Sequence, residues 1–198
     1  MEQILLTGFI GDAGARILLQ YRREALLSRF SASFLRPLEN IAAMTGEALK
    51  TAFSKAYEAA GLAVPVWESA AGDAEAQEQP TVFFLSEGGL YTALWRLSKA
   101  YRCGFRIPQA AIPVHQETVE VCNFFDINPY ALYSEGCALL IVPEERTARI
   151  LSALRDEGIP AAWIGELTKE KKKVLLRKDE ERFIARPEKD PLRERNIL

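Results

Sequence analysis

The sequence predicts an α/β (α+β) protein, a mixed or antiparallel sheet with helices packed on it. Three observations carry that expectation. Short apolar runs of strand character, such as Gln3–Thr7, Thr81–Leu85 and Cys137–Val142, alternate with longer stretches of helical spacing. Three joints share one grammar, in which a helix ends, a glycine follows, an extended segment begins and a proline comes soon after: Gly61 with Pro65, Gly104 with Pro108, and Gly158 with Pro160. Finally, no G-x-G-x-x-G joins the first strand to the first helix, which argues against a doubly wound dinucleotide fold.

Each element follows from local chemistry. Gln3–Thr7 is an apolar run ending at Gly8 and reads as a buried strand. Asp12 is placed to cap a helix from Ala13, in which Ile17, Leu18, Tyr21 and Leu26 recur at helical spacing. A second helix is expected from about Pro37 to Ala60, with Leu49, Ala52, Phe53, Ala56 and Ala60 as its apolar stripe. The stretch 68–80 has four acids and no large apolar side chain, and reads as an exposed, mobile loop inserted within one domain. Thr81–Leu85 is a strand by composition. Gly88-Gly89 opens a helix with Leu90, Ala93, Leu94 and Leu97 inward. Ala110–Val114 is read as a strand, Glu117–Phe125 as a helix, and Cys137–Val142 as a strand. Pro143 suits the first turn of a helix carrying Ile150, Leu151 and Leu154. Ala161–Ile164, Val174–Arg177 and Arg182–Ala185 complete the strands, leaving a domain over 1–186 and a charged, frayed tail over 187–198.

Composition narrows the function classes. The chain has 198 residues, 48% of them hydrophobic, enough for one domain with a real core. No apolar run approaches the ~20 residues of a membrane span, and the N-terminus lacks the basic and apolar regions of a signal peptide. The three cysteines, Cys103, Cys122 and Cys137, form no C-x-x-C pair and fit a reducing, cytoplasmic setting as buried, inert thiols. A single histidine, His115, leaves a zinc site short of ligands, and no G-x-S-x-G accompanies it. His115 stands at a strand-to-helix junction and reads as a cap or surface residue. From Gly165 to Leu198 there are 11 Lys/Arg against 8 Asp/Glu, but the signs are interspersed, so Lys171-Lys172-Lys173 reads as a solvated turn and no nucleic-acid partner is expected.

Three motifs could carry chemistry. Thr7-Gly8-Phe9-Ile10-Gly11-Asp12-Ala13-Gly14 joins strand to helix with three glycines, the kind of turn that brings backbone N–H groups to an anion at a helix N-terminus. From the residues alone, a tight strand–helix turn needing small residues is the favoured reading, and no Gly-Lys-Ser/Thr makes it a P-loop. Ser86-Glu87-Gly88-Gly89 repeats the arrangement, with Ser86 as a helix cap and Glu87 in the first turn. Its paired glycines imply a close backbone approach, by a ligand or by a neighbouring segment. Asn128–Gly136 combines Asn-Pro turn chemistry with a second Ser-Glu-Gly and reads as a structured turn feeding the next strand.

At these motifs the sequence resembles the C-terminal domain of the aminoimidazole ribonucleotide (AIR) synthase superfamily, and within it the hydrogenase maturation factors. The likeness is carried by Leu5–Gly11, by Glu87-Gly88-Gly89-Leu90 with Ala93-Leu94-Trp95, by Ile112-Pro113-Val114 with Gln116–Cys122, by Phe124–Tyr130, by Ser134-Glu135-Gly136 and by Gly158–Gly165. The resemblance implies a three-layer α/β/α domain with a mixed sheet, partly ferredoxin-like. It also implies a preceding N-terminal lobe that bears most of the acidic metal ligands and ATP contacts, and that this chain lacks. ATP and Mg2+ would then bind only with that lobe present, and none by this chain alone. Two departures stand out. Family enzymes often carry Asp-Pro-Thr-Arg-Gly-Gly at the second motif, where Phe84–Gly89 has neither the acid nor the arginine. The hydrogenase-maturation dehydratase uses a C-terminal cysteine, and this chain ends Asn196-Ile197-Leu198, so that chemistry is not expected from it.

The expected function is one wall of a nucleotide or phosphate cleft in a hydrogenase maturation factor-like protein. Thr7, Gly8, Gly11, Ser86, Glu87, Gly88 and Gly89 would line it, mostly through backbone N–H groups, with no catalytic or metal-binding residue of the chain's own. The family's enzymes are ATP-dependent, but this chain alone is expected to be inactive. The partners expected are an N-terminal lobe, a second copy of the chain, or a small-molecule or nucleotide ligand. The alternative is a protein–protein interaction or dimerisation module with a vestigial cleft. A weaker third reading is a free-standing enzyme using Glu87, Glu135 or Cys137.

Overall fold

The structure, a computed structural model, describes residues 1–41, 46–68, 79–178, 180–187 and 189–197. Its described strands are β1 (Glu2–Thr7), β2 (Val82–Phe84), β3 (Gly104–Pro108), β4 (Ala138–Pro143), β5 (Ala161–Thr168), β6 (Lys173–Arg177) and β7 (Glu180–Phe183). They form one mixed sheet in the order β2-β4-β1-β5-β3-β6-β7. Every pairing is antiparallel except that of β3 with β6. The helices are α1 (Asp12–Tyr21), α2 (Arg23–Leu27), α3 (Ala32–Glu39), α4 (Gly46–Ala59), α5 (Gly89–Tyr101), α6 (Gln116–Phe124), α7 (Thr147–Asp156) and α8 (Pro191–Glu194).

The alternation of β1 shows how the layers arise. Successive side chains of a strand point to opposite faces, and all of Ile4, Leu5 and Leu6 are fully buried. Ile4 and Leu6 join Leu139, Ile141, Phe105, Ile107 and Ile164 on one face, covered by Leu90, Ala93, Leu94 and Leu97 of α5. Leu5 joins Ala138, Leu140 and Val142 on the other, covered by Leu49, Ala52, Phe53 and Ala56 of α4 and by Ile150 and Leu154 of α7. The result is a three-layer α/β/α sandwich. A third apolar cluster lies beside it, built from α1, α2, α3, α6 and α8 through Leu18, Leu26, Leu35, Leu38, Val121 and Leu192.

Several local expectations are corrected. The single helix expected over 37–60 is two helices with residues 42–45 outside the description. α3 starts earlier, at Ala32, because the Ser31 side chain accepts the Phe34 N–H, and Pro37 lies inside it. The strand expected at Ala110–Val114 is a short 3₁₀ turn (Gln109–Ala111) followed by irregular chain; the sheet strand is β3, just before it. The loop expected at 68–80 lies largely outside the described residues, which omit 69–78. At its ends Glu68 pairs with Arg96 at 2.8 Å, and the Tyr101 hydroxyl donates to the Pro80 carbonyl at 3.1 Å. The tail is not frayed where it is described: Asp190 caps α8 by accepting the Leu192 N–H at 2.9 Å, and Leu192 is fully buried in the third cluster.

Candidate functional site

The two glycine turns meet at one end of the sheet. β1 runs into Gly8 and Gly11, both in the left-handed conformation, and Gly11 is the N-cap of α1. Thr7 is fully buried. Its hydroxyl accepts the Ala138 N–H at 3.0 Å and donates to the Ala138 carbonyl at 3.4 Å, stitching β1 to β4. Ser134 joins the motifs. Its hydroxyl accepts the Gly11 N–H at 2.9 Å and donates to the Leu132 carbonyl at 2.7 Å, while its N–H donates to the Ser86 carbonyl at 3.2 Å. The 128–136 turn therefore holds the 7–14 and 86–89 turns side by side.

The glycine N–H groups are engaged within the chain. Gly8 donates to the Pro160 carbonyl at 2.8 Å, Gly89 to the Ser86 carbonyl at 3.1 Å, and Gly88 to Asp190 Oδ2 at 2.8 Å. The paired glycines of the second motif answer to a neighbouring segment. A Cβ on Gly89 would lie 2.4 Å from the Leu132 carbonyl oxygen, and the residue sits at φ +54, where L side chains are strained. Three capping expectations are corrected. Gly11, not Asp12, occupies the N-cap of α1; Gly88, not Ser86, occupies that of α5; and Glu87 precedes α5 and lies outside its first turn.

Beside the first turn lies a shallow cavity of about 160 Å³, lined among others by Phe9, Asp12, Arg16, His115, Glu135 and Cys137. Its polar centre is Asp12, which is nearly buried. One carboxylate oxygen accepts from the Thr118 hydroxyl at 2.5 Å and the other lies 2.7 Å from His115 Nδ1. Burial pushes the Asp12 carboxyl above the usual carboxylate range, against the opposing pull of the Thr118 and His115 bonds. The imidazole stacks on Phe9 with centroids 3.8 Å apart. His115 thus stands at the N-cap of α6 but makes no cap bond; its ring belongs to the cavity. Cys137 donates to the Phe9 carbonyl at 3.3 Å, and burial pushes its thiol up to about 12, so the sulfur is held as a protonated, unreactive thiol. Glu135 accepts from the Tyr133 hydroxyl at 2.7 Å. Of the three residues of the free-standing-enzyme reading, Glu135 and Cys137 line this cavity and Glu87 does not. Among the described residues no three His, Cys, Asp or Glu side chains come together to hold a metal ion.

The tail supplies what the second motif lacks in sequence. Asp190 takes the Gly88 N–H, and Arg193 of α8 grips Glu87 through two nitrogens, which holds the Glu87 carboxyl below the usual range. An acid and an arginine thus stand at the Ser86–Gly89 turn although neither lies within it. The signal was present locally: Asp190-Pro191 is an N-cap followed by proline at the first helical position. What the sequence could not show was where that one-turn helix docks.

The fold and these turns define a domain of a known kind. The family model of the AIR synthase related protein, C-terminal domain, matches residues 84–197, and the chain belongs to that family. Among curated proteins it is similar to carbamoyl dehydratase HypE of Rhodobacter capsulatus, 34% identical over 88 residues that cover 43% of this chain and 26% of that protein. Among solved structures, E. coli HypE matches with a TM-score of 0.71 at 22% identity, over 96% of this chain and 51% of that one. A hydrogenase maturation protein HypE in complex with ATP matches with a TM-score of 0.65 at 22% identity, over 96% and 52%. The chain thus spans about half the length of the solved relatives it matches, as those shares show. No helix among the described residues is long and apolar enough to cross a membrane.

Proposed function

We propose that this chain acts as one lobe of a HypE-like hydrogenase maturation protein, contributing one wall of an ATP or phosphate cleft and inactive without a second lobe. The observation that carries the reading is the cavity at the first glycine turn. At about 160 Å³, it falls short of the ~300–1,000 Å³ of a complete small-molecule site, so a nucleotide seated there needs a further wall. Family membership and the likeness to an ATP-bound HypE support the same reading.

In this proposal the wall is built at Thr7, Gly8, Gly11, Ser86, Glu87, Gly88 and Gly89, of which Gly8 lines the cavity itself and the others frame it. Because the N–H groups of Gly8, Gly11, Gly88 and Gly89 are donated internally, their part is shape: they let two turns and the 130–132 backbone close up without side chains between them. Thr7 and Ser86 hold the frame, and Glu87, tied to Arg193, presents charge at its edge. Magnesium and the triphosphate would be held chiefly by the second lobe, which would supply the metal's charge compensation.

The test is calorimetric titration of ATP-Mg2+ into the chain alone and into an equimolar mixture with the N-terminal lobe of a HypE. Binding and ATP turnover that arise only in the mixture support the proposal. Turnover by the chain alone at the level of a complete family enzyme, or no binding by a mixture in which the two lobes demonstrably associate, overturns it.

A further inference from the structure

Along α5 lies a second, larger concavity of about 790 Å³, with none of the proposed cleft residues in its lining. Six cations line it: Arg96, Lys99 and Arg102 from α5 and its C-cap, Lys171 and Lys173 from the β5–β6 turn and the start of β6, and Arg186 from the segment after β7. No Asp or Glu lines it among the described residues. Arg96 is paired with Glu68. The other five make no ion pair among the described residues, although this chain is net negative. Lys99, Arg102, Lys171 and Arg186 are exposed. The floor is Trp95, whose indole N–H donates to the Ala185 carbonyl at 2.8 Å and whose face carries Lys173 Nζ at 4.6 Å from the ring centroid.

Uncompensated like charges gathered in one depression repel one another and raise the potential there. Lys99 and Arg102 have a local explanation, since cations at a helix C-terminus complement its dipole. Lys173 lies over Trp95, but Lys171 and Arg186 stand on no helix and make no such contact among the described residues. From these observations we infer that the groove is a docking site for an acidic, extended peptide segment of a partner protein.

The layout favours a peptide over a compact polyphosphate. The α5 wall from Thr92 to Arg102 runs about 15 Å at the α-helical rise, the length of roughly five extended residues, with cations along it and not at one point. No glycine lines the groove, so it offers no turn of free N–H groups of the kind that cradles phosphate. Trp95, covered by Lys173 on one face, is buttress more than stacking platform.

Titration of a fluorescein-labelled hexaglutamate peptide into the full chain, followed by anisotropy, tests this. The peptide is expected to bind, to weaken as salt rises, and to lose affinity about tenfold or more in the double variant Lys99→Glu/Arg186→Glu. Arg155→Glu, the same kind of charge change on exposed α7, serves as the control and should leave binding unchanged. In the unmodified protein the indole N–H resonance of Trp95 should shift on peptide addition while those of Trp67 and Trp163 stay in place. Tripolyphosphate binding more tightly than the peptide at equal ionic strength would assign the groove to phosphate and overturn the proposal. Absence of peptide binding, equal losses in the double variant and the control, or an unmoved Trp95 signal would overturn it as well.

Discussion

At the scale of single residues, Gly89 and Gly158 separate conformation from space. Both sit at positive φ, but an added Cβ at Gly158 meets nothing within 4 Å, whereas at Gly89 it meets the Leu132 carbonyl oxygen at 2.4 Å. Gly158→Ala should cost only the left-handed strain, about 1 kcal/mol. Gly89→Ala adds a clash with backbone that cannot rotate aside and should cost at least about 2 kcal/mol; urea midpoints at unchanged m-value would show the difference. Asp12 makes a pH prediction. Its carboxyl is raised in the folded state, chiefly by burial, so its contribution to stability is fullest below the unfolded carboxylate range and is lost as pH rises through the raised value. Relative to Asp12→Asn, the wild type should therefore gain stability as pH falls from about 6 to about 4, and a difference that stays flat or runs the other way in thermal melts would refute this assignment. That Asp12 heads a helix was legible from its place after Gly11. That it leaves the cap to Gly11 and turns to His115 and Thr118, more than 100 residues away, was not, because no local rule encodes a long-range partner.

At the scale of elements, strands and helices with strong periodicity are legible in the sequence, and the structure departs from it where two signals compete. Pro37 looked like a helix start, yet the Ser31 cap begins α3 earlier and the helix accommodates the proline near its end. Ala110–Val114 has strand composition, but the sheet positions beside β5 and β6 are already taken by β3, and the chain leaves the sheet after Pro108. The charged end of the sequence conceals a docked turn, held by buried Leu192 and Asp190 and by the Arg193–Glu87 pair. Asp190→Ala would leave the Gly88 and Leu192 N–H groups without their acceptor, at about 1–3 kcal/mol for each buried donor left unmade. Asp190→Asn keeps one acceptor oxygen and should recover part of the loss. Chemical denaturation of the two variants reads this directly, and equal stability of Asp190→Ala and wild type would show that the tail contributes nothing to the α5 entry.

At the scale of the whole molecule, the recognisable turns at 7–14, 86–89 and 128–136 converge because the sheet order brings β1, β2 and β4 together. The sequence marked each turn; Ser134, which joins them, has no signature beyond being a serine in a turn. Among the described strands the same order sets β1 between two groups, β2-β4 on one side and β5-β3-β6-β7 on the other. Its partners β4 and β5 begin only at Ala138 and Ala161. During synthesis the largely apolar β1 must wait without a sheet partner until β4, whose Ala138 lies 131 residues beyond Thr7, has been made. Architectures dominated by such distant pairings fold slowly, and the exposed interval is when a nascent chain of this design most needs shelter from its neighbours.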